Sequence, residues 1–287
     1  MGTLHNIFVR KPTSEPIDEF IKKSTHEAPD ACDHVVALGA AIVDQLLPLL
    51  ADDKRRPFAV RCNAIRALAK IRDARAVVPI IALLKDSDNM IRVEASQALG
   101  LFKDARAVMP LVDVLGKGFA LSSAAARALG RIGDARAVEP LIVLLGDCYE
   151  CGREAAAEAL GLLRDQRAVP PLLQALHDQD HAMRRLAADA LERIGWQPAD
   201  AEMKATYLVA KQRWASCVQM GRDAVPQLIV ALRSTDFETT WNAGNALVAI
   251  GEPAVNDLRA CLSDGNADFR ADVTRILGQI GVVPIST

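Results

Sequence analysis

Apolar residues recur along this chain at helical rather than strand spacing. In the stretch around Ala124, Ala125, Ala128 and Leu129 they return every three or four positions, which puts them on one face of an α-helix. Proline and glycine punctuate such stretches at regular intervals. Four segments align: Asp73-Ala-Arg-Ala-Val-Val-Pro79, Asp104-Ala-Arg-Ala-Val-Met-Pro110, Asp134-Ala-Arg-Ala-Val-Glu-Pro140 and Asp165-Gln-Arg-Ala-Val-Pro-Pro171. Their prolines at 79, 110, 140 and 171 lie 30 or 31 residues apart. Each segment runs into an apolar run ending at Leu84, Leu115, Leu145 or Leu176. A second apolar run follows, with an Ala-Leu pair near its end. Those leucines are Leu38, Leu68, Leu99, Leu129, Leu160 and Leu191, then Leu247 and Leu277.

Self-similarity of this period marks a repeat array, and each repeat predicts a pair of helices. Proline falls in the first turn of the first helix, where a missing N–H costs little. The aspartate before it serves as a cap. Near the end of the second helix stand Gly100, Gly130, Gly161 and Gly278, which suit either a left-handed cap or close packing. Shorter junctions occur at Gly39-Ala-Ala-Ile-Val43, Gly221-Arg-Asp-Ala-Val225 and Gly251-Glu-Pro-Ala-Val255. One helical pair cannot bury its own apolar face, so neighbours stack. The expected fold class is all-α, an α-solenoid of about eight helical pairs.

Three regions are expected: residues 1–28 as an N-terminal arm with a short helix near Pro16–Lys23, residues 29–281 as a single solenoid, and residues 282–287 as a tail. The period breaks over residues 196–220, which read as a degenerate repeat of two short helices, about 200–210 and 212–220. Trp196 and Trp214 fall here. Their rings are expected to fill space where the regular Ala/Leu packing fails.

Composition now acquires a cause. The chain is 51% hydrophobic but only 4% aromatic, because Ala and Leu carry the packing of closely stacked helices. Thirty-four basic residues against 36 acidic ones argue against a nucleic-acid partner, whose affinity rests on an excess of Lys and Arg. No apolar run reaches membrane-spanning length; residues 34–50 are interrupted by Asp44 and Gln45, so no membrane association is expected. The first ten residues lack a secretory pattern, and six cysteines read as free thiols, so a cytoplasmic location is expected.

The pattern Asp-Ala-Arg-Ala-Val-x-Pro-Leu-Ile-x-Leu-Leu, followed by Ala-x-Ala-Leu-Gly, resembles the HEAT repeats of the phycobilisome-lyase HEAT-like class of bacteria and archaea. The resemblance covers about residues 30–281, and residues 196–214 are similar to a helical insert of some members. It implies a right-handed superhelix whose second helices line the concave face, and a polar ladder between turn aspartates and second-helix arginines. That ladder reads as Asp86/Arg92, Asp147/Arg153, Asp178/Arg184 and Asp264/Arg270, each pair six residues apart. Two repeats lose both members together, as Gly116/Ser122 and Ser234/Thr240, which is what partnered charges predict.

Candidate chemistry is sparse. Cys148-Tyr-Glu-Cys151 and, one repeat on, His177 and His181 form a speculative metal or redox set. Related metal-dependent hydroxylases bind iron through repeated His-Glu pairs; this chain has one, His26-Glu27, so that activity and any cofactor are not expected. HEAT-like DNA glycosylases would call for a basic concave surface, which the near-zero charge does not supply. No catalytic residue is assigned.

Second-helix positions facing solvent vary while the packing positions repeat. One row is Arg66, Gln97, Arg127, Glu158, Asp189, Asn245 and Arg275; a turn earlier lie Cys62, Val93, Ser123, Glu154, Arg185, Trp241 and Ala271. Neighbours include Glu94 and Asn242. The expected partner surface is Glu94, Gln97, Arg127, Glu154, Glu158, Arg185, Asp189, Trp241, Asn242 and Asn245. Its mixed signs suit a protein or peptide. Trp241 serves either as an interface anchor or as cover for the preceding degenerate repeat. The function expected is a non-enzymatic scaffold. The alternative, implied by the resemblance, is a bilin lyase or accessory of chromophore attachment to phycobiliproteins.

Overall fold

The computed structural model describes residues 15–25, 32–51, 57–146 and 152–282, and all regular structure among them is helical. The chain is an α-solenoid of paired helices, all-α as its repeats predict. Its packing divides it into two compact units, Met1–Leu163 and Arg164–Thr287. Residues 147–151, with Cys148 and Cys151, lie outside the described residues, as do His26, Glu27 and residues 283–287. No helix among the described residues is long and apolar enough to cross a membrane.

In the first unit the helix Glu15–Thr25 precedes the stack. Long second helices span Phe58–Ile71, Asn89–Phe102, Phe119–Ile132 and Arg153–Leu163, each packed on the next. The recurrent leucines Leu68, Leu99, Leu129 and Leu160 are wholly buried. Between them run shorter first helices, Val77–Ala82, Val108–Val112 and Val138–Leu145. A single tight turn of 3-10 helix leads into each, and its sequence explains it. The Asp104 carboxylate accepts the Arg106 main-chain N–H at 2.9 Å, and the Arg106 side chain closes back on both carboxylate oxygens at 3.0 and 2.7 Å. The same closed fork forms at Asp73/Arg75, Asp134/Arg136 and Asp165/Arg167. Ala76, Ala107, Ala137 and Ala168, one step further, are completely buried, so a methyl group is what the turn accommodates. Arg136 also reaches the Ala105 carbonyl at 3.1 Å, and Arg75 the Ala40 carbonyl at 2.7 Å, tying these two turns to the ones before them.

These forks make an acid-sensitive element. Asp134 and Asp165 are pulled from the ordinary 3.8 to about 2, first by the arginine side-chain hydrogen bond and then by the main-chain N–H. Asp73 and Asp104 shift the same way for the same reasons. A depressed carboxyl contributes stability above its unfolded value and loses it as pH falls through its folded value. An Asp104→Asn, Asp134→Asn variant, which keeps the cap but not the charge, is therefore expected to be less stable than the parent at pH 7. The two should converge between about pH 4 and pH 2 in urea titrations followed by circular dichroism.

Two glycines settle which of the two expected roles they play. A Cβ on Gly100 would sit 2.8 Å from the Ala128 Cα, and one on Gly130 would sit 2.7 Å from the Ala159 Cα. Both are sites of close helix approach, not caps. The left-handed caps lie later, at Arg72, Lys103 and Gly133.

The second unit contains Val169–Ala175, His181–Ile194, Val225–Ala231, Phe237–Ile250, Val255–Ala260 and Ala267–Ile280. Its irregular segment forms two short helices, Ala201–Ala210 and Trp214–Met220. The latter packs on Phe237–Ile250 in the place of a second helix. Trp196 is half-buried and tilted against Tyr207, with ring centroids 6.0 Å apart, and Trp214 is half-buried against the core around Leu228 and Leu247. All three tryptophans of the chain belong to this unit.

Candidate functional site

The polar ladder differs from its sequence reading in one respect. The Asp86 carboxylate pairs with Arg61 of the preceding repeat, not with Arg92, and both side chains are 7% exposed. Arg92 instead donates to the main-chain carbonyls of Asp86 at 2.6 Å and Ser87 at 3.2 Å. Arg184 does the same to Asp178 and Gln179, both at 2.9 Å, and Arg270 to the Asp264 carbonyl. The Asp264 carboxylate takes Arg233, again one repeat earlier, at 2.6 Å. The spacing of six thus closes the turn, while the carboxylate serves the stack. Where the pair is lost, hydroxyls keep the turn closed. Ser122 accepts the Gly116 N–H, and Thr240 donates to the Ser234 carbonyl at 3.1 Å.

The expected partner surface divides between the units. In the first, Gln97 and Arg127 are exposed, and Glu154 is exposed near the start of its helix. Arg127 meets Glu158 across neighbouring helices at 3.3 Å. Glu94 is 7% exposed, and Arg66 grips it with both guanidinium arms, one at 3.0 Å. Its charge is therefore spent on the stack.

In the second unit Arg185 is exposed, and Asp189 is half-buried and bound to Lys211. Lys211 also holds Glu192 at 2.7 Å. Trp241 and Asn245 are exposed one turn apart on the same helix, and Asn242 is half-buried. Trp241 stacks on Phe237, with centroids 6.2 Å apart and planes 19° from parallel. Phe237 is 79% exposed and Trp241 48%. The Arg275 guanidinium lies 5.4 Å from the Trp241 ring, a cation–π distance. Phe237 was not singled out by the sequence reading. Its signal was there: phenylalanine opens three second helices, at 58, 119 and 237, and all three are exposed.

His177 and His181 stand in the second unit, and no group of three or more potential metal ligands forms among the described residues. The described thiols Cys32, Cys62, Cys217 and Cys261 are free. Burial pushes Cys62 and Cys217 up to about 11, so both are protonated at neutral pH.

Two grooves open on the edges where first and second helices join. One in the first unit, about 560 Å³, lies between the Leu84 and Leu121 turns. One in the second unit, about 430 Å³, runs from His177 to Ser234 past the short Ala201–Ala210 helix. Each borders a repeat that has lost the Asp/Arg pair.

Comparison with known proteins agrees with this architecture. The model of HEAT repeats matches residues 43–120 and 140–210, and that of the PBS lyase HEAT-like repeat matches residues 123–147. No curated protein matches the chain. Among solved structures, human deoxyhypusine hydroxylase is 23% identical, covering 88% of this chain and 99% of that one, with a TM-score of 0.41. The CpcE–CpcF complex of phycocyanin lyase from Nostoc sp. PCC7120 is 22% identical over 87% of this chain and 100% of that one, with a TM-score of 0.45. Importin beta is 16% identical over 93% of this chain and 38% of that one, with a TM-score of 0.46. At these identities the likeness is one of fold. With half of its residues matched by the HEAT-repeat model, the chain belongs to the HEAT-repeat family.

Proposed function

We propose that this chain captures a protein or peptide partner along the concave, second-helix face of its repeats. Stacked helical pairs offer extended surfaces of this kind, with packing positions held constant and facing positions free to vary. One observation carries the reading: the exposed Phe237–Trp241 stack with Arg275 beside it. Aromatic rings and arginine are enriched at binding hot spots, and a stacked pair left in water has apolar area available for a partner. Free, protonated thiols suit a cytoplasmic setting.

A second reading makes the chain an accessory of bilin attachment to phycobiliproteins. The match of residues 123–147 to the PBS lyase HEAT-like repeat supports it, and supports it better than it supports a scaffold of unspecified client. In this reading the partner on the helix face is a phycobiliprotein subunit. The two readings share the surface and differ in the client.

A Trp241→Ala, Asn245→Ala variant is expected to fold as the parent does and to lose partner affinity by about tenfold or more. Affinity capture from the source lysate identifies the client, and titration of that client measures the loss. Unchanged affinity in the folded variant would reject the placement. Mixing the chain with a free bilin and an apo-phycobiliprotein separates the readings. Faster formation of covalently pigmented subunit selects the accessory reading; no acceleration leaves the scaffold.

A further inference from the structure

We propose that the groove on the turn edge of the first unit is a second docking site, for an acidic peptide segment carrying an apolar side chain. Its floor is apolar, built by Ile81, Leu84, Pro110, Val114 and Leu121. Its volume of about 560 Å³ is that of a cleft that takes a few side chains. Its rim is cationic. Lys85 and Lys117 are exposed, and neither makes an ion pair among the described residues. Arg92 adds a third positive charge, held by carbonyl oxygens and not by a carboxylate. Of the two lining aspartates, Asp86 is already matched by buried Arg61, which leaves Asp113 as the opposing charge.

The groove borders the repeat at Gly116/Ser122, where a glycine and a hydroxyl stand in place of the Asp/Arg pair. A cationic rim over an apolar floor, on a chain whose formal net charge is −2, selects an anionic partner with an apolar anchor. The site is independent of the Phe237–Trp241 surface, which belongs to the other unit.

The test uses the full chain and a fluorescein-labelled hexapeptide, Asp-Glu-Leu-Phe-Glu-Asp, followed by fluorescence anisotropy. Saturable binding with half-saturation below about 1 mM is expected. A Lys85→Glu, Lys117→Glu variant with parental circular dichroism should bind about tenfold more weakly. The Trp241→Ala, Asn245→Ala variant should bind as the parent does, so failure of the concave-face reading leaves this result standing. Absent or non-saturable binding overturns the proposal, as does binding unaffected by the lysine reversals. Equal binding of Asp-Glu-Ser-Ser-Glu-Asp overturns the apolar anchor. Equal binding, through the same lysines, of a single-stranded oligonucleotide or of anionic phosphatidylserine vesicles overturns the peptide assignment.

Discussion

Replacing Arg61 with methionine is expected to cost about 3–5 kcal/mol, read as a lower urea midpoint in circular dichroism. The size follows from what is left behind. Asp86 keeps the Asp88 N–H at 2.9 Å but loses its counter-charge inside the stack, and the Leu50 carbonyl loses its donor at 3.2 Å. An unpaired buried carboxylate is among the costliest single defects a fold can carry. The pH dependence identifies the mechanism. In the parent, burial pushes the Asp86 carboxyl up, but the Arg61 hydrogen bond, the Asp88 N–H and the nearby positive charges outweigh it and the net shift is downward. Its stabilising contribution is thus present above the unfolded value and fades as pH falls. In the Arg61→Met chain only the Asp88 N–H and the Arg92 charge still oppose the upward push of burial, so Asp86 takes up a proton more readily in acid and the defect is relieved. The gap between the two proteins should therefore narrow below about pH 4. An Arg61→Met, Asp86→Leu double variant should recover part of the loss, because two apolar groups replace one orphaned charge.

Gly130→Val is expected to cost about 3 kcal/mol, at the upper end for overpacking. The new Cβ would meet the Ala159 Cα at 2.7 Å and its Cβ at 2.9 Å. Main chain cannot step aside as a flexible side chain can, so the helices Phe119–Ile132 and Arg153–Leu163 must separate. Gly130→Ala should cost less, since the better helix propensity of alanine offsets about 1 kcal/mol of the clash. Gly278→Ala makes the opposite forecast. Nothing lies within 4 Å of a Cβ at that position, so the propensity gain of about 0.5–1 kcal/mol should appear as increased stability. Opposite signs for one substitution at two repeat-end glycines would separate close approach from helix propensity.

Much of the fold was legible because it is periodic. The Pro and Leu registers locate both helices of each pair, and the Asp-x-Arg-Ala segments predict capped starts that the structure shows as closed forks. What a linear spacing cannot contain is which neighbour a side chain meets once repeats stack. Asp86 is six residues from Arg92 and 25 from Arg61, and the distant partner takes the carboxylate because stacking turns the near one onto carbonyls. The same limit applies to the candidate surface. Glu94 and Asp189 occupy facing positions in the register, yet Arg66 and Lys211 from adjoining elements hold them. Trp241 was legible as an oddity of its column. Its stacking partner Phe237 shares the helix-opening position of Phe58 and Phe119, but that recurrence does not say that the ring lies against Trp241. The grooves were hidden for a similar reason: the side chains that line each one come from neighbouring repeats and meet only once those repeats stack.

The uneven placement of tryptophan gives the chain a built-in optical reporter. Trp196, Trp214 and Trp241 all belong to Arg164–Thr287, so indole emission follows that unit and is silent about Met1–Leu163. Far-ultraviolet dichroism sums over helices in both. Recording the two signals during one unfolding titration resolves the halves without any label or substitution. A client that quenches or shifts the emission is thereby assigned to the second unit from a single spectrum.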